Sequence, residues 1–197
     1  MFNWLPTITY ALVANFTPGP NNITSAAMGV LYGYRRSLPF LLGNAAGFYV
    51  VLLIAALVSS SLLAAIPGIE PVLRYIGAAY ILYLAFSILK ATYSFEDRQA
   101  KPMGFAQGFL FQFLNPKVII YALTLFTTFL GWLTSDTLRL LLVLVPLTAS
   151  CFAAISTWAL FGTLIKRYLG YPRVRLAVNI VLALLLVYSA AEMVAVS

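Results

Sequence analysis

A chain of 197 residues that is 62% hydrophobic and only 9% charged falls far below the roughly one-quarter charge of a soluble domain. Its net charge of +7 does not read as a nucleic-acid surface, because the Lys and Arg residues lie between apolar runs, where they orient a chain in a bilayer. With no histidine and the single cysteine Cys151, the chain lacks the makings of an internal disulfide framework, a thiol redox pair or an imidazole-based metal or triad enzyme.

At about 20 apolar residues per span, six candidate spans follow in order: Trp4 to Tyr34, Leu38 to Ile66, Val72 to Ala91, Phe105 to Leu133, Leu138 to Ile165 and Leu176 to Ala195. The start, Met1-Phe2-Asn3-Trp4, carries no basic residue and runs uncharged to Tyr34, so it reads as a retained first span rather than a cleaved signal. The connections are short and leave no room for a separate unit, which predicts one membrane domain over 1–197 with halves 1–95 and 101–197.

The first span contains Thr17-Pro18-Gly19-Pro20-Asn21-Asn22. Two prolines remove two backbone donors and Gly19 permits unusual angles, so the chain is expected to unwind for a turn and restart as a helix at Asn21. A helix restarting inside a bilayer offers free N–H groups and a positive dipole end to a carboxylate, beside the side-chain amides of Asn21 and Asn22. In the alternative reading, Thr17 caps an ordinary helix with Pro18 in its first turn. A loop at that point would leave too short a first span.

The fourth span has a second break at Asn115-Pro116, followed by Lys117. At 1.5 Å per residue the two breaks lie roughly 20 Å and 15 Å into their spans, near mid-depth. A cation at that depth is unfavourable by at least about 2.5 kcal/mol and needs a cavity, a carboxylate or backbone carbonyls. Glu70, Glu96, Asp97, Asp136 and Glu192 all fall at connections or span ends, so a carboxylate carried by a substrate is the natural partner. The alternative is that Lys117 snorkels from a span that begins at Val118. Gln112 and Tyr121 lie at helical spacing from Asn115 and Lys117 and share their side. Asn44 and Asn179 read first as helix-bridging amides, and the pairs Gly43/Gly47 and Gly104/Gly108 as close-packing motifs open to a homodimer contact.

Nine of the twelve Lys and Arg lie at the first, third and fifth connections, which predicts a cytoplasmic location for that face and external termini. Three spans on each side of the longest polar connection, with the breaks in spans 1 and 4, predict an all-α integral membrane protein built as a 3+3 inverted-topology repeat.

These two elements resemble the LysE/RhtB family of amino-acid exporters. The stretches Ala100-Lys101-Pro102, Phe111 to Tyr121 and Asn179 to Tyr188 look most like its cysteine and O-acetylserine branch, although that branch carries valine where Pro116 stands. The resemblance implies export of small amino acids across a bacterial inner membrane, driven by an ion gradient without ATP, cofactor or nucleic acid. The chain has no phosphate-binding glycine loop. The expected substrate contacts are Thr17, Pro18, Gly19, Pro20, Asn21, Asn22, Gln112, Asn115, Pro116, Lys117 and Tyr121, with Gly43, Asn44, Gly47 and Asn179 as packing or secondary positions. The expected coupling ion is a proton, carried by Lys117, by the substrate or by Glu192. A divalent-metal or small-ion exporter is the rival class, and would need clustered carboxylates, thiols or imidazoles.

Overall fold

Proline placement decides where the N-terminal helices stop and start. The computed structural model describes residues 4–65, 101–168 and 171–195, with scattered positions between 75 and 89. Helix α1 (Leu5–Phe16) has Pro6 in its first turn, where a missing N–H costs nothing. It ends because Thr17, placed before Pro18, is pushed out of the helical region to φ −60° and ψ 135°. Gly19, before Pro20, is fully extended at φ −173° and ψ 179°. Helix α2 (Pro20–Tyr32) then begins on Pro20 itself, one residue earlier than the sequence suggests, since proline's fixed φ suits a first helical position.

A single residue, Gly33, joins α2 to α3 (Tyr34–Ala65). Its φ of +79° is the left-handed conformation that glycine adopts without strain. Arg35 and Arg36 consequently sit in the first turn of α3, not in a connection as the hydropathy pattern implies. The third expected span, Val72 to Ala91, and the connections on either side of it fall largely outside the described residues.

The second half opens with α4 (Phe105–Phe113) and α5 (Pro116–Thr124), bent by 61° where they meet. Asn115 again precedes a proline, takes extended angles, and caps α5 by accepting the Lys117 N–H on its side-chain oxygen at 3.1 Å. Beyond Thr124 the expected regular span is replaced by a π turn, Leu125–Phe129, and a 3-10 turn, Gly131–Ser135. Helix α6 (Thr137–Ile165) is capped by Asp136, whose carboxylate accepts the Arg139 N–H at 3.0 Å and pairs with its guanidinium at 3.0 Å. That ion pair is solvent-exposed and adds little, but loss of the cap should matter. Asp136→Ala should lower stability by about 1 kcal/mol, read as a lower unfolding midpoint in detergent. Helix α7 (Pro172–Ala195) follows a short 3-10 turn.

Among the described residues the structure is all helical, without strands. Tyr34–Val58 of α3 and all of α6 are long and apolar enough to cross a membrane, and the bent α4–α5 pair makes a third candidate. Large apolar side chains such as Leu12, Leu57, Leu114, Leu142 and Leu164 are exposed, as expected where lipid replaces water. Phe48, Leu52, Leu125, Phe126, Leu130 and Leu144 form the main core between α3, the α5 end and α6, while Met28, Phe40, Leu41, Ile155 and Ala159 join α2, α3 and α6.

Backbone contact sets two crossings. A Cβ at Gly43 would lie 1.9 Å from the Phe105 carbonyl oxygen, and one at Gly108 would lie 2.1 Å from that of Phe40, so α3 and α4 touch backbone to backbone. Gly29 against Ala159 and Gly162 against Ala26 repeat the device between α2 and α6 at 2.0 and 2.1 Å. Gly43 and Gly47 thus pack against α4 within the chain, while Gly104 caps α4 and has only the Gln107 side chain nearby. The GxxxG reading holds for Gly108 and not for Gly104.

Candidate functional site

A break between two apolar helices frees carbonyls that must find donors elsewhere, so their partners identify the residues committed to it. At the first break the Asn22 side-chain amide donates to the Asn15 carbonyl at 2.8 Å and the Thr17 carbonyl at 2.9 Å. The Trp158 indole points its N–H at the Phe16 carbonyl across 3.4 Å. Lys117 Nζ donates to the carbonyls of Thr17 at 2.8 Å and Pro18 at 3.2 Å. Every carbonyl from Asn15 to Pro18 therefore has a donor, and the donors come from α2, α6 and α5.

Lys117 reaches the first break because α5 restarts beside it. Its side chain runs so close to Gly19 that a Cβ there would come within 2.8 Å of Lys117 Cδ. The Lys117 side chain is half-buried, with its ammonium against backbone carbonyls of the α1–α2 break. Lys117 thus takes up the Thr17 and Pro18 carbonyls itself. Asn22 likewise uses its amide to staple the break.

Beside the ammonium runs a chain of buried amides. Asn115 Nδ2 donates to Asn21 Oδ1 at 2.7 Å, Asn21 Nδ2 donates to Gln112 Oε1 at 2.9 Å, and Gln112 Nε2 donates to both oxygens of Asn44 at 2.5 and 2.9 Å. Gln112 and Asn44 are fully buried, with Asn115 and Asn21 nearly so. Such a chain fixes the mutual register of α2, α3, α4 and α5, since each member left unpaired would cost about 1–3 kcal/mol. Asn44, which reads from sequence as a packing amide, is the end of this chain.

A recess with about 360 Å³ of empty space, part of it open at the mouth, lies against these groups. Asn15, Gly19, Pro20, Asn21, Asn22, Asn115 and Lys117 supply its polar wall, and Ala14, Phe48, Val118, Tyr121, Cys151 and Ile155 its apolar wall. Of the positions expected from sequence, Gly19, Pro20, Asn21, Asn22, Asn115, Lys117 and Tyr121 border it directly. Thr17, Pro18, Gln112 and Asn44 stand behind it through the hydrogen bonds above, and Pro116 starts α5. Gly43 and Gly47 sit at the α3–α4 crossing, and Asn179 is buried on α7 away from the recess wall. Sequence reasoning missed Asn15, which donates to Ser150 Oγ at 2.8 Å, and Trp158, Phe48 and Ile155. Asn15 alone carried a signal, as an amide just before the diproline.

Apolar helices interrupted at two facing breaks, with an ammonium and a run of amides closing the gap, define the architecture of a membrane translocator rather than an enzyme. The description LysE type translocator matches residues 12–196, and this chain belongs to the LysE family of membrane transporters. The cysteine/O-acetylserine efflux protein of Salmonella typhimurium is 38% identical over 92% of each chain, and that of Escherichia coli K12 is 37% identical over the same share. No solved structure matches.

Proposed function

We propose that this protein exports small amino acids of the cysteine and O-acetylserine class across the bacterial inner membrane by secondary, alternating-access transport. The observation that carries this reading is the Lys117 ammonium held on the Thr17 and Pro18 carbonyls at the edge of the recess. A zwitterionic α-amino acid suits that arrangement. Its carboxylate meets the ammonium and the N–H groups that open α2 at Asn21 and Asn22, where the helix dipole favours negative charge. Its own ammonium competes with Lys117 for the two carbonyls, so loading moves the lysine and loosens the tie between the two breaks. Amides and one ammonium are donors for a carboxylate, whereas a divalent cation wants anionic or imidazole ligands.

In this reading the chain is one transporter domain over 1–197 with external termini, its two halves form the inverted 3+3 repeat, and they rock about the recess. A proton gradient supplies the drive, with no cofactor, and the protein works as a monomer or homodimer.

Counterflow in proteoliposomes with labelled cysteine, O-acetylserine, threonine, homoserine and lysine tests the assignment. Exchange of cysteine or O-acetylserine well above empty liposomes is the expected result. No exchange with any amino acid, together with thermal stabilisation by divalent metals alone, would overturn it.

A further inference from the structure

Among the described residues lining the recess, Tyr121 is the one with a buried polar side-chain atom lacking a hydrogen-bond partner. The residue is 5% exposed, and its ring cannot swing to find a partner. It is stacked between Tyr10, at 5.4 Å and 9° between planes, and Phe48, at 5.6 Å and 27°. Leaving a buried phenolic O–H unpaired is unfavourable, and the two stacked rings hold it in place. Phe48, Val118 and Ile155 offer the adjoining wall no donor, and Cys151 only a weak thiol.

Tyr121 lies one turn beyond Lys117 on α5, about 6 Å further along the axis. A carboxylate at Lys117 would therefore leave a short side chain pointing along α5, with any oxygen at its end near the Tyr121 hydroxyl. We propose that this hydroxyl is a specificity determinant, donating a hydrogen bond to an acceptor oxygen on the side chain of the bound α-amino acid. An O-acyl serine carries such an acceptor, its ester carbonyl, beyond the carbon that bears its carboxylate. An alkyl side chain of equal length leaves the hydroxyl unpaired and is discriminated against. The inference rests on the amino-acid reading of the recess given above.

The test is equilibrium binding to the purified full-length chain of O-acetyl-L-serine and of L-norleucine, which matches its chain length without the ester oxygens. The wild type should prefer the ester by about 5- to 100-fold. Tyr121→Phe should bring the ratio to within about twofold by loss of ester affinity, with an unfolding midpoint no lower than wild type because an unpaired hydroxyl has been removed. A folded Tyr121→Phe that keeps the wild-type ratio would overturn the inference. If that variant does not fold, Phe48→Leu loosens the stack while keeping the hydroxyl. It should lower the ratio several-fold, and an unchanged ratio there would equally overturn it. Lys117→Met separates the two readings: loss of both ligands supports the site, and retention of both refutes the site whatever Tyr121 does. No binding of either ligand to the wild type would overturn both.

Discussion

Lys117→Met should abolish amino-acid counterflow while leaving a protein that still inserts, folds and purifies. Methionine keeps the unbranched length of the side chain and removes the charge. Two opposing effects decide the structural outcome. Removing a cation from mid-membrane, the depth expected from the sequence, favours insertion by about 2.5–3.5 kcal/mol, whereas the Thr17 and Pro18 carbonyls lose their ammonium donor at a cost of about 1–3 kcal/mol. Thr17 retains the Asn22 amide at 2.9 Å, which places the cost toward the lower end. The first term is the larger, so the variant should be no less stable than the wild type. Transport should not survive, because the recess loses the one cationic side chain among its described lining residues, the group that meets the substrate carboxylate in the proposed mode of binding. Reconstituted Lys117→Met with normal abundance, an unfolding midpoint no lower than wild type and counterflow at the level of empty liposomes is the expected combination. Wild-type counterflow by that variant would remove Lys117 from the mechanism. Arginine should rescue poorly, since its planar fork does not fit a carbonyl pair shaped to a compact ammonium.

Gly108→Val should produce the opposite dissociation, with the folded protein itself lost. A Cβ at Gly108 would stand 2.1 Å from the Phe40 carbonyl oxygen and 2.9 Å from the Asn44 nitrogen, and neither is the tip of a flexible side chain that can step aside. Helices α3 and α4 would have to separate, opening the reciprocal contact of Gly43 with Phe105 and stretching the Gln112–Asn44 hydrogen bonds that end the amide chain. Overpacking alone costs about 1–3 kcal/mol. Buried amides pulled apart add about 1–3 kcal/mol for each group left unpaired, which together approaches the total stability of an ordinary domain. Low yield, aggregation in detergent and a sharply reduced unfolding midpoint are expected. Gly104→Ala is the control: its nearest neighbour would be the Gln107 side-chain oxygen at 3.5 Å, and it should behave as wild type. Equal damage from both changes would show that helix propensity, not the α3–α4 approach, sets the effect.

Local rules made a good part of this protein legible before any coordinates. Proline has no N–H and constrains the residue before it, so the diproline at Thr17-Pro18-Gly19-Pro20 and the Asn115-Pro116 pair read as helix interruptions, although Pro39 and Pro146 lie inside continuous helices. Hydropathy and the scarcity of charge set the membrane class, and the isolation of Lys117 from every carboxylate implied that it needed oxygen partners from elsewhere. What remained hidden was which oxygens. Nothing in the sequence pairs Asn115 with Asn21, Asn21 with Gln112 or Gln112 with Asn44, separated by 94, 91 and 68 positions. Those partnerships depend on how far α3 and α4 can approach and on the angle between α4 and α5, and a shift of one residue at either crossing would re-pair them all. The same holds for the first break. Its existence was a matter of proline chemistry, whereas the assignment of its carbonyls to Asn22, Trp158 and Lys117 came from helix packing. Covalent backbone constraints act within a few residues and are written in order along the chain, but a hydrogen bond between helices goes to whichever donor their packing brings within reach.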